Sequence, residues 1–91
     1  MTSERAQAYA AALKSLRDLK PSKFSDAQMH LFQQTVDALF FTDAVDESVA
    51  DLVAGSHAEL DVIAENDRLL PETVRRLKHE IDAVGPTPVA A

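Results

Sequence analysis

Residues 25–41 read SDAQMHLFQQTVDALFF, and this stretch decides the fold class. Ser25 followed three residues later by Gln28 is a capping box: the serine hydroxyl oxygen accepts from the Gln28 amide, and the Gln28 side chain accepts from the Ser25 amide. Beyond it, Met29, Phe32, Val36, Leu39 and Phe40 recur at spacings of three and four, the period of one helical face. A capped, amphipathic helix over 26–41 is the reading, and the rest of the chain is read against it.

Upstream, Tyr9, Ala12, Leu13, Leu16 and Leu19 share a face, which predicts a first helix over about 3–19. Pro21 should stop it, because proline disfavours a helical conformation at the residue before it. Downstream, Thr42 or Asp43 can cap a third helix, whose stripe is Val45, Val49, Leu52, Val53, Ser56, Leu60 and Ile63. Gly55 lies inside that stripe at a cost of about 1 kcal/mol against alanine, so the helix could kink or split there. Asn66 and Asp67 mark its exit. Pro71 suits the first position of a fourth helix, in which Val74, Leu77, Ile81 and Val84 alternate spacings of three and four, and Gly85-Pro86 should end it. The expectation is an all-α antiparallel four-helix bundle, one helical domain over 1–85 with a mobile tail over 86–91.

Charge is segregated along the chain. Phe24 to Asp67 holds ten carboxylates and no lysine or arginine, whereas residues 1–23 carry five basic and two acidic groups. Residues 68–91 carry four basic and three acidic, and the whole chain has net charge −6. Basic first and fourth helices can therefore border acidic second and third ones, in pairs worth less than about 1 kcal/mol each that select an arrangement rather than stabilise it. An acidic middle repels phosphate backbones, so no direct nucleic-acid binding is expected. The 91 residues contain no cysteine, which excludes disulfides, thiolate metal sites and a cysteine nucleophile. No apolar run approaches the roughly 18 residues of a membrane span, and the N-terminus lacks a secretory apolar region. The chain reads as cytoplasmic.

Chemistry is hard to place. His30, His57 and His79 fall on three different predicted helices, each near a carboxylate: Asp26, Asp61, and Glu80 with Asp82. No Glu-x-x-His or His-x-x-x-His spacing puts two ligands on one face, so no metal is expected and the histidines read as surface groups in local ion pairs. Two isolated glycines form no phosphate cradle, and pairs such as Asp46/Glu47 and Asp43/Asp51 have no reason to be buried. No catalytic residue and no cofactor are assigned.

Two stretches resemble known families. Phe40 to Val49, FFTDAVDESV, is loosely similar to the segment around the phosphopantetheine serine of acyl carrier proteins. The resemblance implies Ser48 as an attachment point, although Glu47-Ser48-Val49 stands where that family has Asp-Ser-Leu and the preceding glycine is absent. Asn66 to Thr73, NDRLLPET, with Ser56-His-Ala58 before it, is similar to the region around the recognition helix of LacI-type repressor headpieces. Glu59, Asp61 and Glu65 would then face phosphates with like charge. Neither resemblance assigns the chain to a family.

The aromatics point elsewhere. Phe32, Phe40 and Phe41 share the second helix, with Phe24 just ahead, and Phe40 and Phe41 differ by about 100° of rotation. With Leu31 also off the main stripe, this helix is apolar around more than half its circumference, more than one packing contact covers. Leu69, Leu70 and Val62 add further off-stripe apolar positions. The reading is a small acidic interaction or regulatory protein that docks on another protein and carries no chemistry. Leu31, Phe40 and Phe41 would supply burial, and Asp43, Asp46 and Glu47 would steer a basic partner. A homodimer would also cover the patch. The alternatives are an acyl-carrier-like protein with its arm on Ser48, and an acidic decoy of a nucleic-acid-binding protein.

Overall fold

A computed structural model describes residues 4–85, in which four helices follow one another: α1 (Glu4–Lys23), α2 (Asp26–Phe41), α3 (Glu47–Glu65) and α4 (Pro71–Asp82). Ser3 and the tail over 86–91 lie outside the described residues. Each helix packs against its neighbours in the chain, and α4 closes back on α1. The predicted stripes meet in one core. Ala12, Leu13 and Leu16 come from α1, Phe32, Val36 and Leu39 from α2, Val49, Leu60 and Ile63 from α3, and Val74, Leu77 and Ile81 from α4. Val84, just past α4, completes that helix's seam at full burial.

Local signals account for most of the boundaries. The Ser25–Gln28 box forms in both directions, at 3.1 Å to the Gln28 amide and 2.9 Å from the Ser25 amide. Pro71 opens α4, as its missing N–H requires.

α4 ends at Asp82, two residues before Val84, and two other boundaries differ more from expectation. The first is α1, which runs past Pro21 to Lys23. Proline's preference acts on a single residue near the end of the helix. Opposing it is the burial of Phe24, packed edge-on against Phe32 with ring centroids 5.0 Å apart. Burying such a ring contributes about 1.5–3 kcal/mol, and one more helical turn delivers it to the core.

The second is the start of α3. Asp46, rather than Thr42 or Asp43, is the N-cap, accepting from the Val49 amide at 3.0 Å and the Ser48 hydroxyl at 2.7 Å. The Thr42 hydroxyl is used in the loop, where it donates to the Ala44 carbonyl at 2.6 Å. Val45 consequently precedes α3 and stands 49% exposed instead of joining its buried stripe. Gly55 does not split α3, which is a single helix from Glu47 to Glu65.

The exit from α3 is built on the left-handed backbone of Asp67, φ 57°. The Arg68 amide donates to the Ile63 carbonyl and the Asp67 amide to the Ala64 carbonyl, each at 3.1 Å, the two bonds of a Schellman cap. That position favours glycine, and an aspartate charge at a helix C-terminus opposes the dipole. Asp67→Gly should therefore stabilise the fold by roughly 1 kcal/mol, raising the melting temperature by about 4–8 °C. An unchanged or lowered melt by circular dichroism would contradict this account of the turn.

Inside the core, α2 and α3 meet through a polar pair. Thr35 and Ser56 are both fully buried, with hydroxyl oxygens 2.7 Å apart. Thr35 can also donate to the Leu31 carbonyl at 2.9 Å or the Leu52 carbonyl at 3.2 Å. With Ser56 donating to Thr35, and Thr35 to a carbonyl, both hydroxyl protons are used. No buried side-chain polar atom among the described residues lacks a partner.

Candidate functional site

The end of the molecule where α2 passes to α3 gathers most of the residues that the sequence singles out, and Arg5 holds it together. From the first turn of α1, the Arg5 guanidinium donates to the carbonyls of Leu39 (2.6 Å), Phe40 (3.1 Å) and Thr42 (2.8 Å). Its Nε donates to the Val84 carbonyl at 3.1 Å. The last turn of α2 has no basic residue of its own, so α1 supplies the cation that the α2 C-terminus favours. Arg5 is not legible as a site residue in the sequence, because a lone arginine near a chain start gives no sign of which carbonyls lie beyond it.

The aromatics divide between core and surface. Phe24 and Phe32 are buried. Phe40 is half-buried, stacked on Tyr9 of α1 with ring centroids 4.5 Å apart. Phe41 contacts Phe40 edge-on at 5.0 Å but is itself 78% exposed. The surplus apolar surface of α2 is thus partly met inside the molecule, by Tyr9, and what remains outward is Phe41. Leu31 does not join it. Nine residues of helix place Leu31 about 180° around the axis from Phe40 and roughly 13 Å along it. Thr35, one turn after Leu31, faces α3, whereas Phe40 faces α1. Of the remaining off-stripe positions, Leu69 is buried, while Val62, in the last turn of α3, and Leu70, just before α4, stand exposed.

Asp43, Asp46 and Glu47 are all exposed beside Phe41 and Val45 in the chain. Asp46 is also structural, as the cap of α3. The Ser48 hydroxyl first, and then the Val49 amide, hold its carboxyl below the ordinary carboxylate range. Its charge therefore persists at every pH above that range, and the cap weakens only as pH falls through the lowered value. Ser48 is exposed in the first turn of α3.

A groove opens at this same end. Leu39, Val45, Ala50, Val53, Ala54 and Gly85 line it, with Asp82 on its wall, and it encloses about 420 Å³ open to solvent. It exists because small residues line it: Ala50 and Ala54 lie one turn apart on α3, opposite Gly85. A Cβ at Gly85, just past α4, would approach Leu39 Cδ2 to 2.9 Å, so a side chain there would have to turn the Leu39 methyl aside. A search for large apolar stripes could not find a site made of missing side chains. The one available signal, Gly85 before Pro86, reads equally well as a helix stop.

One histidine takes a partner other than the one its spacing suggests. His57 bonds Asp82 of α4 at 2.9 Å rather than Asp61 on its own helix. Asp61 pairs instead with Lys78 at 2.6 Å, across the border of acidic α3 and α4, whose three basic residues are balanced by Glu72, Glu80 and Asp82. Glu80 accepts from Ser15 of α1 at 2.7 Å and pairs with Arg76 one turn earlier. His30 lies in a shallow surface hollow with Gln33, Gln34 and Asp37. Among the described residues, no three His, Cys, Asp or Glu side chains converge as metal ligands. Ser56-His-Ala58 lies in the middle of α3 with Ser56 buried, not at the start of a helix free to enter a groove of DNA. No helix among the described residues is long and apolar enough to cross a membrane.

Tyr9 offers a direct probe of the α1–α2 contact. Its hydroxyl donates to Asp37 Oδ1 at 2.6 Å, and chiefly that bond, with burial and the carboxylate charge, raises its pKa above 10.0. Folding favours the neutral phenol, so this contribution is complete below pH 10 and is lost as pH rises through the raised value. Tyr9 is the one tyrosine of the chain, so an ultraviolet absorbance titration reads it alone. The midpoint should lie above 10 and return toward it in Asp37→Ala; identical midpoints would remove this bond.

The chain matches no family model, and comparison with curated proteins and with solved structures finds no match.

Proposed function

We propose that this chain is a small interaction module that acts by docking on another protein, with no catalysis of its own. The observation that carries the reading is Phe41, a large aromatic side chain left 78% exposed at the end of α2. A docking partner would cover it together with Val45, while Asp43, Asp46 and Glu47 steer a basic surface toward it. The framework beneath is an antiparallel bundle. Arg5, at the start of α1, bonds the ends of α2 and α4. Gln28, early in α2, bonds Glu59, late in α3, while His57 and Asp61 of α3 meet Asp82 and Lys78 of α4 in reversed order. A Cβ at Gly55 would meet nothing within 4 Å, so no packing contact requires glycine there. The absence of cysteine accords with a cytoplasmic location.

Phe41→Asp tests the reading. Phe41 is the last residue of α2, beside its Thr42 cap, where a carboxylate opposes the helix dipole at a cost of about 0.3–1 kcal/mol, small enough that the folded variant remains available for comparison. Affinity capture from the native cell should lose its specific partners with Phe41→Asp. Capture of the same partners in the same amounts would overturn the proposal. Sedimentation of the pure chain separates a homodimer from a different partner, because a dimer would give a doubled mass that Phe41→Asp restores to one.

Exposed Ser48, opening α3 directly after a loop, supports the second reading, an acyl-carrier-like protein. A phosphopantetheine-sized gain in intact mass, lost in Ser48→Ala, would replace docking with that function. An acidic decoy would instead hold its partner through charge alone, and its complex would dissolve at high salt.

A further inference from the structure

The groove at the α2–α3 end has an apolar floor, with Asp82 on its wall and further exposed carboxylates on the segment that leads into α3, and both properties constrain what fills it. Ala50, Val53 and Ala54 lie at helical spacings of three and four along α3, facing Leu39 and Gly85. About 420 Å³ lies toward the lower end of ligand-site volumes, and the groove is open along one side rather than enclosed. It suits one bulky side chain carried by a segment lying across it. Glu47 and Asp51 are exposed on the first turns of α3 around Ala50, Asp43 and Asp46 lie in and at the end of the preceding loop, and Asp82 stands on the wall. Asp82 is bonded to His57, and the arginine at this end, Arg5, is engaged by backbone carbonyls; against it stand Asp43, Asp46, Glu47 and Asp51, with no lysine or arginine from Phe24 to Asp67.

We infer that this groove binds an amphipathic segment of another protein that inserts one large apolar side chain and flanks it with lysine or arginine. The inference rests on the docking reading and names the partner's chemistry. Charge decides against a second copy using the same face, because two acidic rims would be brought together with nothing between them. It decides equally against a free fatty acid or other anion. Burying a leucine- or phenylalanine-sized anchor supplies affinity, while the rim sets the choice of partner and the rate of encounter.

Selection of randomised displayed peptides on the immobilised full chain tests this. Enriched peptides should share one bulky apolar residue within a turn or two of at least two basic residues. Ala54→Trp, which fills the groove from an exposed helical position, should weaken them by about tenfold or more. Binding should also weaken as salt is raised, without vanishing. Ala50→Lys, which places a positive charge against the basic flanks of the segment, is the second variant should Ala54→Trp melt early, and Leu70→Asp, at the opposite end, should change nothing. Enriched acidic or uncharged peptides, or affinities indifferent to both groove variants, would overturn the assignment. Peptides lost with Phe41→Asp but kept with Ala54→Trp would leave docking intact and remove the groove from it. No enrichment on any form would remove both. A concentration-dependent mass abolished by Ala54→Trp would make the occupant a second copy and overturn the inference in favour of self-association.

Discussion

Arg5→Ala should remove roughly 2–3 kcal/mol of folding stability, a large share of the roughly 5–14 kcal/mol expected for a domain of this size. A hydrogen bond to a charged group contributes about 1.5–3 kcal/mol, and one guanidinium here reaches four carbonyls, Val84 from Nε and Leu39, Phe40 and Thr42 from the two shared N–H groups of Nη2. The sum is smaller than four such bonds, since water can reach part of these helix ends once the side chain is gone. Arg5→Lys should recover less than half of the loss, because an ammonium is a point donor and cannot span two helix ends as a planar fork does. Arg17→Ala, exposed on the same helix, should stay within about 0.5 kcal/mol. Urea melts of the three variants decide the matter. An Arg5→Ala variant as stable as Arg17→Ala would mean that these bonds contribute nothing net. The functional consequence is specific. Arg5 positions the last turn of α2, and with it Phe41 and one wall of the groove, so Arg5→Ala should also loosen that end first in hydrogen exchange.

Phe32→Ala should be the most damaging single truncation, costing about 3–5 kcal/mol. Phe32 is fully buried and packs edge-on with Phe24, so its removal leaves a cavity bordered by rigid helices. Phe32→Leu should cost about 1–2 kcal/mol, since most of the volume is kept. Phe41→Ala provides the contrast, because a side chain already 78% exposed has little burial to lose. The four phenylalanines thus separate into two that hold the fold and, at Phe41, one available to a partner, with Phe40 shared between the two roles. Equal stabilities for Phe32→Ala and Phe41→Ala would refute that division.

How far the fold is legible in the sequence varies by element. The stripe of α4, from Val74 to Val84, can be assigned residue by residue, because three- and four-residue spacing has one meaning for a segment that length. The Ser25 box can be assigned too, since both of its bonds are local. The end of α1 cannot. Pro21 is a local signal for stopping, and it is outweighed by Phe24 reaching a core that no local rule describes. The start of α3 goes to Asp46 for a related reason: Thr42, Asp43 and Asp46 are all competent caps, and only the route between α2 and α3 chooses among them. At the candidate site, exposed Phe41 and its acidic neighbours are legible as a surplus on α2. Composition groups Leu31 with them, although half a turn of rotation and over two turns of rise separate it from Phe40.

The chain on its own determined the helices, their buried faces and the uninterrupted acidity between Phe24 and Asp67, because these depend on residue type and on spacings within a few positions. The tertiary arrangement alone decided that Arg5 ties together helix ends far away in sequence, that Tyr9 covers half of Phe40, that His57 answers to Asp82, and that a groove remains over Ala50, Ala54 and Gly85. Each of these depends on which backbone atoms and faces come together when the helices pack. Spacing along one helix carries no record of what stands opposite it.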